Sequence, residues 1–486
     1  MFIGNKMKKI QQDLLYYVFL LIILVVTNIY FFAPHYNDFP GLAAICNVMH
    51  DNILYCLNIN WGFMVPLMAY LFTLVTDNLL LSQRIMSGLA CFLLLFTMLY
   101  IMNKEGYRQK HKSLILIFFA ISPWFFDTIL SMHFDAIPLS IILLFTYISL
   151  KKPGNYLLYG FLIGLSFWFR FHFMIYSLLF PLIILINTRK IKPFIEAGLG
   201  VIISLSIPHI LTYIAYNQLS LGNQKFIIAQ FFGIADWGYE FSQKIEKMSI
   251  GDIFQQANVI GSVVRKSISF IESILFFIII ASFVNFKKII KEKKMMAFFA
   301  VSLFILFFVF IRGFTYRLTL GLAVPLLLLI PDMDVKSLNR KILLITVVIL
   351  YLFIPEAKLI RDYYNKIQEH QYIYKKVSQT IDLDKSSGNR ILALGEMYNF
   401  SDRNLEFSNT ILDGWIVRFK PVMDRYDLID IHNIYRKDVM EKIRQYDYVI
   451  QKKTDYNYKP LKLSDTHKLL HSDQVINIFT RKSQGS

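Results

Sequence analysis

Long apolar segments, separated by short polar runs, dominate the first 356 residues of the chain. The first of them, residues 14–32, is 19 residues long, which is enough to cross a hydrocarbon core of roughly 30 Å at 1.5 Å per residue. Residues 62–75 are apolar but short, and we expect a helix there that dips into the membrane surface without crossing it. The pattern predicts about eleven transmembrane helices, over residues 14–32, 79–102, 113–126, 138–150, 156–170, 173–186, 194–216, 270–286, 295–311, 318–330 and 342–355.

Basic residues assign the two sides of this predicted bundle. Lys6, Lys8 and Lys9 precede the first apolar segment, so the positive-inside bias places the N-terminus in the cytoplasm. The later basic runs fall on the same side in the predicted topology. The loops at 33–61 and 217–266 then face outward, which for a bacterial inner membrane is the periplasm.

The tail, residues 357–486, has a different pattern, because it is charged, rich in Tyr and free of spanning segments. Its periodicity alternates loosely between helix and strand, which predicts a small α/β domain on the outer side. The predicted elements are a helix at 363–381, a strand at 390–394, a helix at 438–445, a strand at 448–451 and a terminal hairpin at 468–481 with Ser472 and Asp473 at its turn.

Composition excludes a water-soluble globule, since 55% of the 486 residues are hydrophobic and 16% are aromatic. Phe and Ile are abundant while Gly and Pro are modest, which favours helices packed in lipid over a barrel. We therefore predict an all-α polytopic membrane domain at 1–356, followed by the α/β domain at 357–486.

The net charge indicates which molecules the chain binds, and the cysteine content bears on disulfides. Much of the net charge of +17 lies in short runs between apolar segments, where it sets topology and contacts anionic headgroups, so membrane lipids and not nucleic acid are the predicted partners. Three cysteines are too few for a disulfide scaffold. Cys46 and Cys56 share the first outer loop, and the sequence leaves open whether they form a disulfide in an oxidising compartment.

The first outer loop carries an early carboxylate. Asp38 lies a few residues beyond the first predicted helix, at headgroup depth, with His35 before it and Trp61 at the end of the loop. A carboxylate there would be partly desolvated and more basic, which suits a general base. The alternative is that Asp38 caps a helix beginning at Phe39.

A second acidic group lies on the same predicted side, between the third and fourth crossings. It comprises Asp127, His133 and Asp135. Two acidic loops facing one interface could activate a hydroxyl and hold a cation. The alternative is that Asp127 and Asp135 only mark helix ends, where the bilayer gives way to water.

Several basic residues lie on the predicted outer side, against the positive-inside bias. Arg312 and Arg317 bracket a short turn, and Arg170 and His172 lie between the fifth and sixth crossings. A guanidinium at this depth binds phosphate oxygens in bidentate fashion. The alternative is snorkelling to the phosphates of native lipids.

Nucleotide-driven transport and soluble zinc hydrolysis are disfavoured, because the chain has no Walker-type phosphate loop, no Gly-x-Gly-x-x-Gly before a helix, no His-Glu-x-x-His and no paired Cys-x-x-Cys. The crossings carry few charges, whereas ion-coupled transporters keep ionisable residues near the bilayer midplane.

The order of these features resembles that of the GT-C glycosyltransferases, multi-spanning enzymes that use polyprenyl-phosphate sugars as donors. The resemblance covers order and topology over about 330 residues, and the outer tail is also common in that family. It is carried by Asp38 in the first outer loop, a helical stretch at 41–52, Pro66 within 61–75, Arg84 within 80–90, Ser122-Pro123 leading to Asp135, a Gly-Leu-rich crossing at 160–169, and Tyr316-Arg317 leading to Pro325.

The resemblance implies roles for these residues. Asp38 would be the general base that deprotonates the acceptor hydroxyl, and Asp135 a second acid lining the cavity. Arg317, with Arg312 or Arg170, would hold the donor phosphate, and the usual outcome is inversion. Many members carry an Asp-Glu or Asp-Asp pair where this chain has Asp38-Phe39, which favours a lone base and leaves Mg²⁺ or Mn²⁺ as an alternative. His35, Trp61, Asp127, His133 and His172 are the expected lining residues.

Length and appearance are most similar to bacterial or phage-borne enzymes that decorate surface polysaccharide, including serotype-converting O-antigen glucosyltransferases. The expected reaction is transfer of a hexose, with glucose favoured, from a polyprenyl-phosphate donor to a periplasm-facing polysaccharide of the lipopolysaccharide type. Lipid A or protein glycosylation, with the same layout, stays open. From another class, a flippase or transporter for lipid-linked oligosaccharide is the rival, and it would not need Asp38.

Overall fold

The computed structural model describes a helical region and a small α/β unit in the tail. The longer described stretches are 52–58, 62–76, 79–120, 135–170, 173–216, 248–255, 292–312, 375–381, 391–394, 437–453 and 460–482. Shorter described pieces are 18, 46, 49–50, 324–325, 328–329, 342, 346, 361, 364–365, 368–369, 371–373, 411–412 and 429–430. The predicted crossing at 270–286, and most of those at 14–32, 318–330 and 342–355, lie outside the described residues.

The helical region begins with a short 3₁₀ helix, Ile53–Asn58, within the predicted first outer loop. The helices that follow are α1 (Met64–Thr76), α2 (Leu79–Lys104), α3 (Gln109–Ala120), α4 (Ala136–Lys151), α5 (Tyr156–Gly164), α6 (Ser166–Phe169), α7 (Met174–Thr188), α8 (Ile191–Tyr216), α9 (Ile250–Gln255) and α10 (Lys293–Arg312).

These helices agree closely with the apolar segments of the sequence. The predicted helices at 62–75, 79–102, 138–150, 173–186, 194–216 and 295–311 are confirmed as α1, α2, α4, α7, α8 and α10. The segment predicted as one crossing at 156–170 is an apolar helical stretch, Tyr156–Phe169, in which Leu165, between α5 and α6, keeps a helical conformation with φ −58° and ψ −23°. The Ser166 hydroxyl, at the start of α6, donates to the carbonyl of Ile163 at 2.7 Å.

Two helices of the described chain are long and apolar enough to cross a membrane, as judged by length and composition. They are Arg84–Lys104 within α2 and Ile191–Ala215 within α8. At 1.5 Å per residue, the 26 residues of α8 span roughly 39 Å. The other crossings predicted within the described residues are shorter; α4, with 16 residues, spans roughly 24 Å.

In the helical region, apolar side chains cover outward faces as well as the core, and several hydroxyls are buried within it. On α8, Ile195, Leu199 and Ile202 follow helical spacing and are about half exposed, at 50%, 49% and 57%. Thr97 of α2 and Ser140 of α4, by contrast, are buried. The exposed apolar faces of α8 would be costly in water, whereas hydrocarbon leaves them unpenalised.

Helices α5 and α8 pack at close range through glycines. A Cβ atom at Gly160 would lie 2.1 Å from the carbonyl oxygen of Ala197, and one at Gly200 would lie 2.0 Å from that of Leu157. Neither position has room for a side chain. Gly160 and Gly164 have the i, i+4 spacing with which small residues let helix backbones approach in membranes.

A hydrogen bond joins segments of the helical region that are far apart in sequence. The Tyr107 hydroxyl, just before α3, donates to the carbonyl of Leu328 at 2.5 Å. Tyr107, Leu328 and the apolar residues around them belong to one hydrophobic core that also includes residues of α2, α4, α7 and α10.

The described elements of the tail include β1 (Ile391–Leu394), β2 (Ile411–Leu412), β3 (Ile429–Asp430), α11 (Lys437–Ile443), β4 (Tyr448–Lys452), β5 (His467–Ser472) and β6 (Ile476–Arg481). Four of the strands form a mixed sheet in the order β1-β4-β6-β5. Strand β1 pairs in parallel with β4, and β6 pairs antiparallel with both β4 and β5. A separate pair, β2 with β3, is parallel and only two residues long in each strand.

Alternate residues of these strands enter two apolar clusters. Ile391 and Ile450 pack with Ile373 and Val377, which belong to the helical residues at 371–373 and 375–380. Leu392 and Val449 pack in a second cluster that contains Ile443 of α11. Because neighbouring strand residues point to opposite faces, the sheet is covered by helix on both sides. The predicted α/β character, the strands at 390–394 and 448–451 and the terminal hairpin are confirmed.

Asp473 lies in the hairpin turn as predicted, whereas Ser472 ends β5 and pairs with Asn477. The Asp473 carboxylate accepts hydrogen bonds from the backbone N–H groups of Val475 and Ile476, at 2.7 and 2.9 Å. It also accepts one from the Tyr372 hydroxyl at 2.6 Å and lies 2.8 Å from His471 Nε2. Partial burial raises the pKa of Asp473, but these hydrogen bonds outweigh it and hold that pKa well below its usual range.

Candidate functional site

Two of the predicted site residues have side chains that the structure describes, Asp135 and Arg170. Arg312 is the last residue of α10. The remaining predicted residues lie outside the described chain: His35, Asp38, Trp61, Asp127, His133, His172 and Arg317.

Asp135 and Arg170 form an ion pair. Arg170 Nε lies 2.7 Å from Asp135 Oδ1, and the two side chains are only 8% and 14% exposed, respectively. Sequence reasoning did not pair them, since they are far apart along the chain and a separate role is expected of each. Buried charges in contact interact far more strongly than exposed ones, because little water screens them.

The carboxylate of Asp135 is committed to this pair and not to capping its helix. Asp135 immediately precedes α4, and its backbone carbonyl accepts the N–H of Leu139 at 3.1 Å. Among the described residues, however, its side chain accepts no hydrogen bond from the first turn of α4. The interpretation that Asp135 only marks a helix end therefore does not account for where its carboxylate points.

Arg170 lies in a tight connection between α6 and α7. It ends α6 in an extended conformation, and its N–H donates to the carbonyl of Ser166 at 3.1 Å. Its own carbonyl accepts the N–H of Phe173 at 3.1 Å, one residue before α7 begins. The backbone on both sides of Arg170 is thus held by hydrogen bonds, which limits where the guanidinium can reach.

The end of the first predicted outer loop packs against this connection. Gly62, next to Trp61, has φ +112°, and a Cβ atom there would lie 2.4 Å from the carbonyl oxygen of Trp168. The ring of Phe63 packs on that of Trp168 with centroids 5.2 Å apart. The structure therefore brings the start of α1 beside the residues that precede Arg170, as expected if the early loop and Arg170 face one site.

Sequence reasoning missed Gly62 and Trp168. Both could have been noticed, because a glycine that separates a polar loop from an apolar helix often supplies a backbone conformation that other residues avoid. Trp168 donates its indole N–H to the carbonyl of Ser204 in α8 at 2.9 Å. The Ser204 carbonyl lies four residues before Pro208, so the sequence shows that it lacks its usual helical donor.

A second charged cluster lies at the opposite end of α4. Glu105 accepts a hydrogen bond from the Tyr147 hydroxyl at 2.5 Å and forms an ion pair with Lys151 at 2.8 Å. Asp135 precedes α4 and Lys151 ends it, so charged contacts stand at both ends of a helix that spans roughly 24 Å. The apolar length between them approaches the thickness of a hydrocarbon core.

The pair offers a cation that is positioned and largely removed from water. A guanidinium carries five N–H donors in a planar fork, and the contact with Asp135 is made through Nε. Such a group suits a phosphate or carboxylate ligand, because both accept two parallel hydrogen bonds. Within the described residues, no group of three or more His, Cys, Asp or Glu side chains could hold a metal ion.

Comparisons of the chain with protein-family models, with curated proteins and with solved structures find no match. Any functional assignment therefore depends on the chemistry of the site.

Proposed function

We propose that the chain is a polytopic membrane glycosyltransferase of the GT-C type, which transfers a hexose from a polyprenyl-phosphate donor to a polysaccharide on the outer side of a bacterial inner membrane. The proposal includes about eleven crossings, a cytoplasmic N-terminus and a periplasmic tail at 357–486. The observation that carries it is the buried Asp135–Arg170 ion pair at one end of helices whose outer faces are apolar.

Membrane embedding is supported by the surface of the helical region. Helix α8 is long enough to span a bilayer, yet little of its apolar spanning segment is buried within the protein. A water-soluble protein would cover such a helix, because exposed patches of this size promote aggregation. Lipid chains would cover it at no such cost.

Arg170 is the proposed ligand for the donor phosphate. Asp135 pairs with the guanidinium at 2.7 Å, and the hydrogen bonds of the Arg170 backbone hold the connection between α6 and α7. A cation placed in advance does not have to reorganise when negative charge develops on the departing phosphate. In the proposed reaction, Arg317 and Arg312 share this role.

The proposed chemistry is a single displacement at the anomeric carbon. Asp38 removes the proton from the acceptor hydroxyl. The oxygen of that hydroxyl attacks the anomeric carbon from the face opposite the phosphate. A new glycosidic bond forms, the bond between carbon and phosphate oxygen breaks, and its electron pair leaves with the polyprenyl phosphate. The configuration at the anomeric carbon inverts.

The test is sugar transfer by the full chain in proteoliposomes, with a radiolabelled polyprenyl-phosphate hexose and a polysaccharide acceptor. Arg170→Gln should raise the donor KM on the order of tenfold or more, because a charge-assisted contact to phosphate is lost. Asp38→Asn should lower kcat by roughly 10²–10⁴-fold. The matched control is Glu105→Gln, which breaks the charged cluster at the other end of α4 and should leave the donor KM unchanged.

Other results would contradict the proposal. Wild-type kinetics in Arg170→Gln and Asp38→Asn would remove both assigned roles. Movement of lipid-linked sugar across the bilayer without a new glycosidic bond would instead assign the chain to the transporters. The same assay with and without EDTA measures dependence on Mg²⁺ or Mn²⁺. Surface polysaccharide from cells with and without the chain should differ by one hexose per repeat.

A further inference from the structure

Pro208 leaves a gap in the hydrogen bonding of α8. In an α-helix the carbonyl of residue 204 accepts the N–H of residue 208, but proline has no N–H to donate. Pro208 lies inside α8, which runs without interruption from Ile191 to Tyr216. The carbonyl of Ser204 therefore needs a donor from elsewhere, because an unsatisfied buried carbonyl is costly.

Trp168 supplies that donor. Its indole Nε1 lies 2.9 Å from the carbonyl oxygen of Ser204, a normal length for such a hydrogen bond. The Ser204 side chain is fully buried against Gly164 of α5, so water has little access to this part of the helix. The missing N–H of Pro208 has thus been replaced by a side chain from α6.

The same tryptophan is tied to Arg170. Trp168 lies in α6, two residues before Arg170, whose backbone N–H bonds to the carbonyl of Ser166 in the same helix. Its carbonyl oxygen is one of the atoms against which Gly62 packs, and its ring contacts Phe63 and Phe161. Movement of the indole would therefore shift the backbone that carries the guanidinium.

We infer that Trp168 is a positioning residue, which uses the carbonyl freed by Pro208 as a fixed anchor for Arg170. The inference rests on the proposed function in one respect, because Arg170 is taken as the ligand of the donor phosphate. The anchor itself, from Pro208 through Ser204 to Trp168, is independent of the reaction.

The test is a double-variant cycle in the full chain. Trp168→Phe removes the N–H but keeps an aromatic ring against Phe63 and Phe161. Pro208→Ala restores an N–H at position 208, so the Ser204 carbonyl no longer depends on Trp168. The matched control is Tyr159→Phe, which removes another side-chain hydrogen bond to a backbone carbonyl, that of Lys152 at 3.3 Å, from the neighbouring helix α5.

Trp168→Phe should raise the donor KM roughly three- to tenfold, with kcat within about twofold of the wild type, and lower the apparent Tm by about 2 °C. In the Pro208→Ala background, the same substitution should change the KM and Tm by much less. Tyr159→Phe should leave the donor KM unchanged, both with Pro208 and in the Pro208→Ala background. A purely structural tryptophan would lower the Tm without a selective change in KM.

Three results would overturn the inference: an unchanged KM and Tm in Trp168→Phe, a defect that Pro208→Ala does not relieve, or a Tm effect with no effect on KM. Absence of hexose transfer by the wild type would refute the proposed function alone. In that event, binding of polyprenyl phosphate, measured by thermal shift across the same set of variants, replaces KM as the readout and tests the positioning role of Trp168 without the reaction.

Discussion

In α8 the residues Ile195, Leu199 and Ile202 point outward and are about half exposed, whereas Ile450 and Ile478 in the tail sheet are fully buried. Both regions bury isoleucines in their cores, so the difference lies at the surface. Within the described residues, the large exposed apolar side chains of the tail number four: Tyr364, Tyr372, Leu469 and Leu470. The two regions thus present opposite surfaces, as expected if one folds in lipid and the other in water.

The interactions that stabilise each region internally also differ. In water, burial of apolar area drives packing, so the tail is stabilised by its two apolar clusters. In lipid that driving force is absent between helices, and close backbone approach with interhelical polar contacts must replace it. Gly160 and Gly200 provide the approach, and the Asp135–Arg170 pair provides a polar contact.

The largest expected effect comes from breaking one buried ion pair in each region. Asp135→Ala leaves Arg170 buried without its carboxylate and should cost about 3–5 kcal/mol of stability. It should also lower transfer on the order of 100-fold, because Arg170 loses its orientation. Thermal unfolding in detergent and the proteoliposome assay measure the two effects.

The tail offers the control for that substitution. Lys452, only 3% exposed, pairs with Glu369 at 2.9 Å. Glu369→Ala should destabilise the tail by a similar amount while transfer stays near that of the wild type. Equal loss of transfer in both variants would mean that general destabilisation, and not the position of Arg170, explains the effect of Asp135→Ala.

The next effect tests which surface meets lipid. Ile202→Lys, on the outward face of α8, should reduce stable insertion by about 2.5–3.5 kcal/mol if the position lies near the middle of a membrane. Leu469→Lys, at a position exposed to a similar degree in β5, should change stability by no more than about 0.5 kcal/mol. The amount of each variant in washed membranes measures the difference. Comparable yields would argue that α8 faces water.

A smaller effect concerns close packing. Gly160→Ala would force a Cβ atom into the Ala197 carbonyl and should destabilise the helical region by about 1–3 kcal/mol. Gly88→Ala in α2 is the control, because a Cβ atom there meets nothing within 4 Å. It should be neutral or stabilising by up to about 1 kcal/mol. Apparent Tm values in detergent test the contrast, and a stable Gly160→Ala variant would contradict the tight α5–α8 contact.

The smallest effect is a pH dependence confined to the tail. Because the folded pKa of Asp473 is lowered, its stabilising contribution is present above the unfolded value of about 3.9 and is lost as the pH falls through the folded value. Asp473→Asn should therefore cost about 1 kcal/mol near pH 7 and progressively less below about pH 4. Hydrogen exchange of the β5 and β6 amides, compared between wild type and variant at each pH, measures this. A difference that does not shrink in acid would contradict it.

Periodicity along the chain is enough to predict most of these elements. The long apolar runs predict α2 and α8 to within a few residues, and alternation with a turn-forming Asp473 predicts the β5–β6 hairpin. Periodicity fails where the determinant is not periodic. Strands β2 and β3, for example, are too short to produce a pattern.

The candidate site was predictable as parts but not as an arrangement. Asp135 and Arg170 could be selected because charged residues beside apolar segments are unusual. Their contact depends on how α4 approaches the connection between α6 and α7, which no local pattern encodes. The disulfide that the sequence left open is decided by the structure in the same way, since Cys46 and Cys56 are both free and buried.

The hydrogen bond from Tyr107 to Leu328 has a consequence for biosynthesis. The two residues are 221 positions apart, so a ribosome adding about 5–20 residues per second needs roughly 10–40 s to deliver the second partner after the first. During that interval the phenol of Tyr107, in the turn before α3, must wait for this acceptor. The part of the core that contains Leu328 is therefore completed only late in translation, after the helices from α1 to α8 have been made.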